Sequence, residues 1–360
     1  MNLDGVSQVF RVSRGELLAV DAVSLSVEAG QVLCLVGESG SGKTTAAKMA
    51  AGLRRPTSGA ILFDGEDIWQ LKGDKFSAFR RAVQYVHQDP YASLNPVHSV
   101  FSQLAAPLRR HRLVRTRREA LQTARRLLTQ VDLTPPENFL FKYPHQLSGG
   151  QRQRVSVARA LTLGPRLIIA DEATSMLDVS IRISLLNMLK RLRVELGVAF
   201  LFITHDLAIA KYFGWEGNIA VMYLGRVVEY GPTPVVINEP RHPYTRALLR
   251  AIPEPDPDLT RRKREVGLRS LDIPSLLQVP PGCSFHPRCP LFEEGLCDVE
   301  RPQLLTINGS LLVACHVVAR ECAQAVPQGG AADPGSPGQR PQGGIPPSDK
   351  ERAASTGGEQ

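Results

Sequence analysis

Gly37-Glu38-Ser39-Gly40-Ser41-Gly42-Lys43-Thr44 is the stretch that decides the fold. It fits G-x-x-x-x-G-K-[ST], the phosphate-binding loop, without substitution. Gln31–Val36 before it is a short, largely apolar run that reads as a buried parallel strand. From Thr44 and Thr45 to Ala50, good helix formers run unbroken up to Gly52. Gly37, Gly40 and Gly42 let the backbone wrap around phosphates, and the amides from Ser39 onward, with the helix N-terminus, face negative charge. Lys43 then reaches the β/γ-phosphates, and the Thr44 hydroxyl is placed to ligate Mg²⁺. A strand–loop–helix of this kind predicts an α/β, P-loop fold.

Further motifs lie downstream. Leu147-Ser148-Gly149-Gly150-Gln151-Arg152 opens a helix running to about Thr162, making a second anion-facing N-terminus on the same chain. A simple kinase-like enzyme needs only one such cradle. Leu167–Glu172 is an apolar strand ending in two carboxylates, with Asp171 placed to act on Mg²⁺ and Glu172 to polarise an attacking water. Val198–Ile203 is another buried strand, and it leads to His205 at the sheet end where ligands bind in open α/β sheets. Residues 2–36 alternate polar and apolar positions, predicting antiparallel strands. Phe10 lies where it either stacks on an adenine or is buried in a strand. Helix is expected from about Val100 to Leu133, including an amphipathic stretch over 116–131 with Leu121, Ala124, Leu127, Leu128 and Val131 on one face.

At 360 residues the chain suits one large domain plus an appendage, or two domains, and 43% hydrophobic content is ordinary for a protein with a real core. Its longest apolar runs are too short to span a bilayer, and Met1-Asn2-Leu3-Asp4 lacks a signal-peptide pattern. A soluble, cytosolic protein is expected, whose membrane association comes through partners. The net charge of +8 gathers in the arginines of 109–126, which read as a solvated helix rather than a nucleic-acid surface. Pro253, Pro255 and Pro257 mark a linker. From Ala323 onward the Pro/Gly/Ser/Gln-rich composition predicts disorder.

With these elements in order, residues 1–250 resemble the ATP-binding subunit of an ABC transporter. The resemblance implies a P-loop ABC-type ATPase with an antiparallel β subdomain and a helical subdomain at about 90–165, together spanning 1–255. A Cys-rich C-terminal region at 256–322 and a tail at 323–360 follow. Gln88 looks like the Q-loop, a contact to Mg²⁺ and the membrane subunit. Ser148, Gly149, Gly150 and Gln151 form the family signature, and Asp171 and Glu172 look like the Walker B magnesium ligand and catalytic base. Asp178 looks like the D-loop and His205 like the switch histidine, while Met176 stands where a small Ala is usual. Two such domains pair head to tail, so the family's ATP lies between one phosphate loop and the other subunit's signature.

His242–Leu249 and the Cys283–Cys289 segment are similar to oligopeptide/dipeptide importer ATPases. Gln88–Pro96 and Thr44-Thr45 look like the second ATPase of the pair such systems encode. The resemblance implies ATP hydrolysis that drives peptide uptake. Its implied partners are a paralogous ATPase subunit in a heterodimer, two membrane permeases and an extracytoplasmic binding protein, with no nucleic acid. The place of work is the cytoplasmic face of the membrane. Similar ATPases serve nickel, glutathione and oligosaccharide import, and a soluble ABC ATPase acting on DNA or ribosomes is the alternative from another class.

Five of the six cysteines fall in 283–322. Cys283, Cys289, Cys297 and Cys315 are separated by five, seven and seventeen intervening residues, looser than the close pairs of a zinc ribbon. Related importer ATPases hold a [4Fe–4S] cluster at this motif, so the resemblance implies one here. Zinc and free thiols in a packed appendage stay open as alternatives, with Cys322 as the spare.

Overall fold

A computed structural model describes residues 1–13, 15–252 and 267–325. The prolines of the expected linker and the tail beyond 325 lie outside the described residues. The chain begins with the hairpin β1 (Asn2–Val12) and β2 (Gly15–Ser26), then β3 (Val32–Val36) and α1 (Lys43–Ala50). After β4 (Ser58–Phe63), β5 (Glu66–Asp67), α2 (Gly73–Ala82) and β6 (Val83–Val86), five helices follow without a strand. They are α3 (Pro90–Ser93), α4 (Val100–Arg110), α5 (Arg117–Gln130), α6 (Glu137–Leu140) and α7 (Gly149–Leu161). Strand and helix then alternate through β7 (Leu167–Asp171), α8 (Val179–Leu196), β8 (Ala199–Thr204), α9 (Leu207–Gly214) and β9 (Asn218–Tyr223). β10 (Arg226–Pro232), α10 (Thr233–Asn238) and α11 (Pro243–Arg250) come next, and β11 (Leu305–Asn308), β12 (Leu311–Val313) and α12 (His316–Ala325) complete the described chain.

Two sheets result. The smaller has the order β2-β1-β4-β5 and the larger β11-β12-β10-β9-β3-β8-β7-β6. β6, β7, β8, β3 and β9 run parallel, and β10, β12 and β11 extend that sheet antiparallel. The period-2 alternation of strands sorts the central residues between two cores. Leu33, Leu35, Ile169, Leu201 and Ile203 face α1 and the small sheet through Ala46, Met49, Val6, Val20 and Ile61. Cys34, Val36, Ile168, Phe200 and Phe202 face the other way, toward Val157, Leu189 and Phe213. Both faces are covered, which is why these strands read as continuous apolar runs rather than as alternation.

The helix expected over 100–133 is two helices. Thr116 accepts from the Glu119 N–H and caps α5, so the chain restarts there rather than continuing from α4. Ala120, Ala124, Leu127 and Leu128 are buried on the predicted face. The Cys-rich region also differs from a separate appendage, because β12 pairs with β10 through Glu229–Val313 and Tyr230–Leu312 and so joins the large sheet. Residues 323–325, expected within the disordered tail, end α12, whose Val317 and Val318 are buried.

His242 caps α11, its Nδ1 accepting from the Tyr244 N–H at 3.1 Å, and burial pushes the imidazole down to about 3. Its folded pKa is depressed, so its stabilisation is present above about pH 6.5 and is lost as pH falls toward 3. The expected slope in that window is about 1.4 kcal/mol per pH unit from this group. In urea titrations between pH 7 and 5, His242→Asn, which keeps a capping acceptor, should show a shallower fall in stability than the wild type.

Candidate active site

Every element of the site begins at the C-terminal end of a parallel strand, where an open α/β sheet leaves its crevice. The phosphate loop follows β3, Gln88 follows β6, Asp171 ends β7 and His205 follows β8. Lys43 is buried, and its ammonium donates to the carbonyls of Gly37 (2.8 Å) and Glu38 (2.7 Å) and to Ser41 Oγ (3.3 Å). Burial lowers its pKa, against the opposing pull of Glu172, Asp171 and Glu38. The Thr44 hydroxyl donates to Asp171 Oδ1 at 3.0 Å.

Glu172 stands at φ 45°, in the left-handed region, with its N–H donated to the Ile203 carbonyl at 3.0 Å. A non-glycine residue held there costs of order 1–3 kcal/mol and persists only where its surroundings fix it. Two neighbours fix the carboxylate. Gln88 Nε2 donates to Glu172 Oε2 at 2.9 Å, and His205 Nδ1 lies 3.4 Å from Oε1. The two acids thus face different partners, Asp171 toward the loop and Glu172 toward Gln88 and His205.

A cavity of about 320 Å³ opens beside these groups, lined by Phe10, Ser39, Gly40, Gly42, Lys43, Thr44, Thr45, Gln88 and Glu172. Phe10 is half-buried on β1, and the Arg54 guanidinium lies over its ring at 4.7 Å. The other expected residues are elsewhere. Ser148 caps α7, accepting from the Gln151 N–H at 3.3 Å while Gln151 Oε1 accepts from the Ser148 N–H at 3.1 Å. Gly149 faces Tyr91 and Leu177, and Gly150 faces Ile181. Asp178 is exposed at the start of α8. None of Ser148, Gly149, Gly150, Gln151 and Asp178 is among the residues lining the cavity at the phosphate loop.

Several residues of the site escaped sequence reading, Leu17 and Ala19 of the cavity wall among them. Tyr85 on β6 donates to Asp171 Oδ2 at 2.6 Å, its phenol raised by burial and then by Asp171. Its only sequence signal was its place in the strand before Gln88. Leu276 reaches the cavity from the C-terminal region, and nothing in the sequence pointed to that.

The expected metal cage is corrected. Among the described residues there is no group of three or more His, Cys, Asp or Glu side chains that could hold a metal ion. This overturns the [4Fe–4S] cluster that the resemblance implied at Cys283, Cys289, Cys297 and Cys315, and zinc, the alternative, finds no support there either. The thiols pack as small apolar groups, with Cys289, Cys297 and Cys315 buried and Cys289 Sγ accepting from the Leu291 N–H. Burial, and after it the neighbouring thiols, raises Cys283 to about 11 and Cys289 to about 12. Magnesium is a different case, since Thr44, Asp171 and Gln88 offer the oxygen donors that this hard cation takes.

Residues 20–175 match the ABC transporter family, and residues 228–297 match the oligopeptide/dipeptide transporter C-terminal region. "Probable peptide ABC transporter ATP-binding protein y4tS" of Sinorhizobium fredii is 45% identical over 314 residues, 87% of this chain and 86% of that protein. "Oligopeptide transport ATP-binding protein AppF" of Bacillus subtilis is 41% identical over 316 residues, 86% and 93% of the two chains. This chain belongs to the ATP-binding proteins of ABC transporters. It is an ABC ATPase of the oligopeptide/dipeptide branch. Among solved structures, a dimeric ATP-binding cassette in a post-hydrolysis state with ADP and Pi is similar at a TM-score of 0.58 and 30% identity. That likeness covers 64% of this chain and 98% of that one. Among the described residues no helix is long and apolar enough to cross a membrane.

Tyr85→Phe removes one hydrogen bond from Asp171 while keeping the ring. The expected cost is about 1 kcal/mol, seen as a roughly fivefold higher Mg²⁺ requirement for ATP hydrolysis. An unchanged Mg²⁺ titration would take Tyr85 out of the site.

Proposed function

We propose that this chain is the motor of a peptide importer, hydrolysing ATP at the cytoplasmic face to drive di- or oligopeptides through two separate permease subunits. The observation that carries the chemistry is the Glu172 carboxylate, held between Gln88 and His205 beside the Lys43 loop. ATP enters the cavity with its phosphates on the loop amides and Lys43, and its base toward Phe10. A magnesium ion held by Thr44, Asp171 and Gln88 supplies positive charge to the phosphates when bound. Glu172 orients the attacking water and draws its proton, and His205 holds the carboxylate in line. Ser148–Gln151 of a partner ATPase completes the site from the other side, with Asp178 at the seam. The exposure of Ser148 at the α7 N-terminus supports that pairing.

The partner in this reading is a paralogue, because the chain resembles the second ATPase of a pair and Met176 is exposed beside Asp178. An extracytoplasmic binding protein delivers the peptide. The C-terminal match and the peptide-transport names of the relatives support peptide over nickel, glutathione or oligosaccharide. In this account 1–255 is the ATPase domain, with its helical part at about 90–165, and 256–322 is the region particular to this branch.

Glu172→Gln keeps the shape and removes the base. Turnover should fall about 10²–10⁴-fold while ATP binding is retained. Hydrolysis near the wild-type rate would refute the assignment. Sedimentation of the purified chain with ATP should show mostly monomer, with stable dimer appearing only when the paralogue is added.

A further inference from the structure

We propose that Arg288 is a positioning residue for ATP binding, acting through Glu38 on the phosphate loop. Glu38 is the second residue of that loop, and all its polar groups are taken. Its carboxylate accepts from both guanidinium nitrogens of Arg288, at 3.0 and 3.2 Å. Its N–H donates to the Tyr244 hydroxyl at 2.9 Å. Its carbonyl accepts from the Lys43 ammonium at 2.7 Å. Arg288 and Tyr244 lie 250 and 206 positions away, both within the 228–297 stretch that matches the oligopeptide/dipeptide transporter C-terminal region.

Arg288 has a rigid seat. Its side chain is only 7% exposed, and its guanidinium lies 5.6 Å from the Phe285 ring centroid and 5.8 Å from that of Tyr223. Tyr223, Tyr244 and Phe285 pack on one another at 4.6–5.4 Å, so the aromatic group that holds Arg288 also holds the Tyr244 hydroxyl. A planar fork fixed in this way matches a carboxylate with both oxygens. Leu276, from the same region, lines the nucleotide cavity.

Two effects on ATP follow. A loop with glycines at 37, 40 and 42 loses much conformational freedom when ordered, and a clamp on Glu38 lowers that cost before ATP arrives. Arg288 also neutralises a carboxylate on a loop that receives a polyphosphate. With the cation removed, Glu38 would repel the incoming anion across a partly desolvated gap. The C-terminal region is thereby part of the nucleotide site.

The inference rests on the ATP reading of the loop, and the test separates the two. Full-length chain is titrated with Mg·ATP by calorimetry, with thermal unfolding of the nucleotide-free protein measured in parallel. Arg288→Gln should weaken Kd about tenfold, the scale of one nearby charge. Adding Glu38→Gln to it should restore Kd to within about threefold, since the repelling charge is gone. Arg288→Lys, which keeps the charge but loses the planar fork, should fall between the wild type and Arg288→Gln, at about threefold weaker Kd, and it carries the comparison if Arg288→Gln does not fold. A wild-type Kd in folded Arg288→Gln, no recovery in the double variant, or a loss of about tenfold or more in Arg288→Lys overturns the proposal. Absence of Mg·ATP binding by the wild type would remove the ATP reading itself.

Discussion

The phosphate loop is wedged between two backbone carbonyls, and the site depends on that close approach. A Cβ on Gly37 would sit 2.1 Å from the Met222 carbonyl oxygen, and one on Gly42 would sit 2.2 Å from that of Ala19. Both glycines also hold positive φ, 152° and 99°. No other residue fits, because the obstacles are backbone rather than side chains that can turn aside. With the loop seated against β9 and β2, Lys43 can fold back onto Gly37 and Glu38, and the first turn of α1 presents Thr44 to Asp171. The parallel strands β8, β7 and β6, all on one side of β3, deliver His205, Glu172 and Gln88 to the same end of the sheet.

The electrostatics follow from this seating. Burial lowers the Lys43 pKa, and the three nearby acids oppose it. They are not equivalent. Asp171 is engaged by Thr44 and Tyr85, Glu38 by Arg288, and Glu172 by the weaker, more exposed pair Gln88 and His205. Glu172 is therefore the acid most able to change partners when a water and a γ-phosphate arrive. Its positive φ aims it at the cavity, away from the line of Asp171.

The parts of this arrangement built from short local patterns were legible in the sequence. The loop, the apolar strands, the two acids after β7 and the capped α7 each occupy a few consecutive residues whose spacing fixes their geometry. What was not legible depended on distant pairing. Nothing local in Arg288, Tyr244 or Leu276 shows that they meet the loop, and nothing in 305–313 shows that these strands join the large sheet through β10. The break between α4 and α5 was missed because periodicity on both sides of 111–116 is helical, and only the Thr116 cap marks the restart. The cysteines misled for a related reason. Their spacing permits a chelate without dictating one, and three of the four thiols, Cys289, Cys297 and Cys315, went into the core.

Uptake in a reconstituted system bears most directly on the central claim. Proteoliposomes carrying the two permeases, this chain and its paralogue, with ATP on the ATPase side, would receive binding protein and a radiolabelled oligopeptide on the other. The account predicts saturable peptide accumulation that requires ATP and this chain, with ATP consumption rising when the loaded binding protein is added. ATP consumption indifferent to peptide and binding protein, with no accumulation inside, would contradict it.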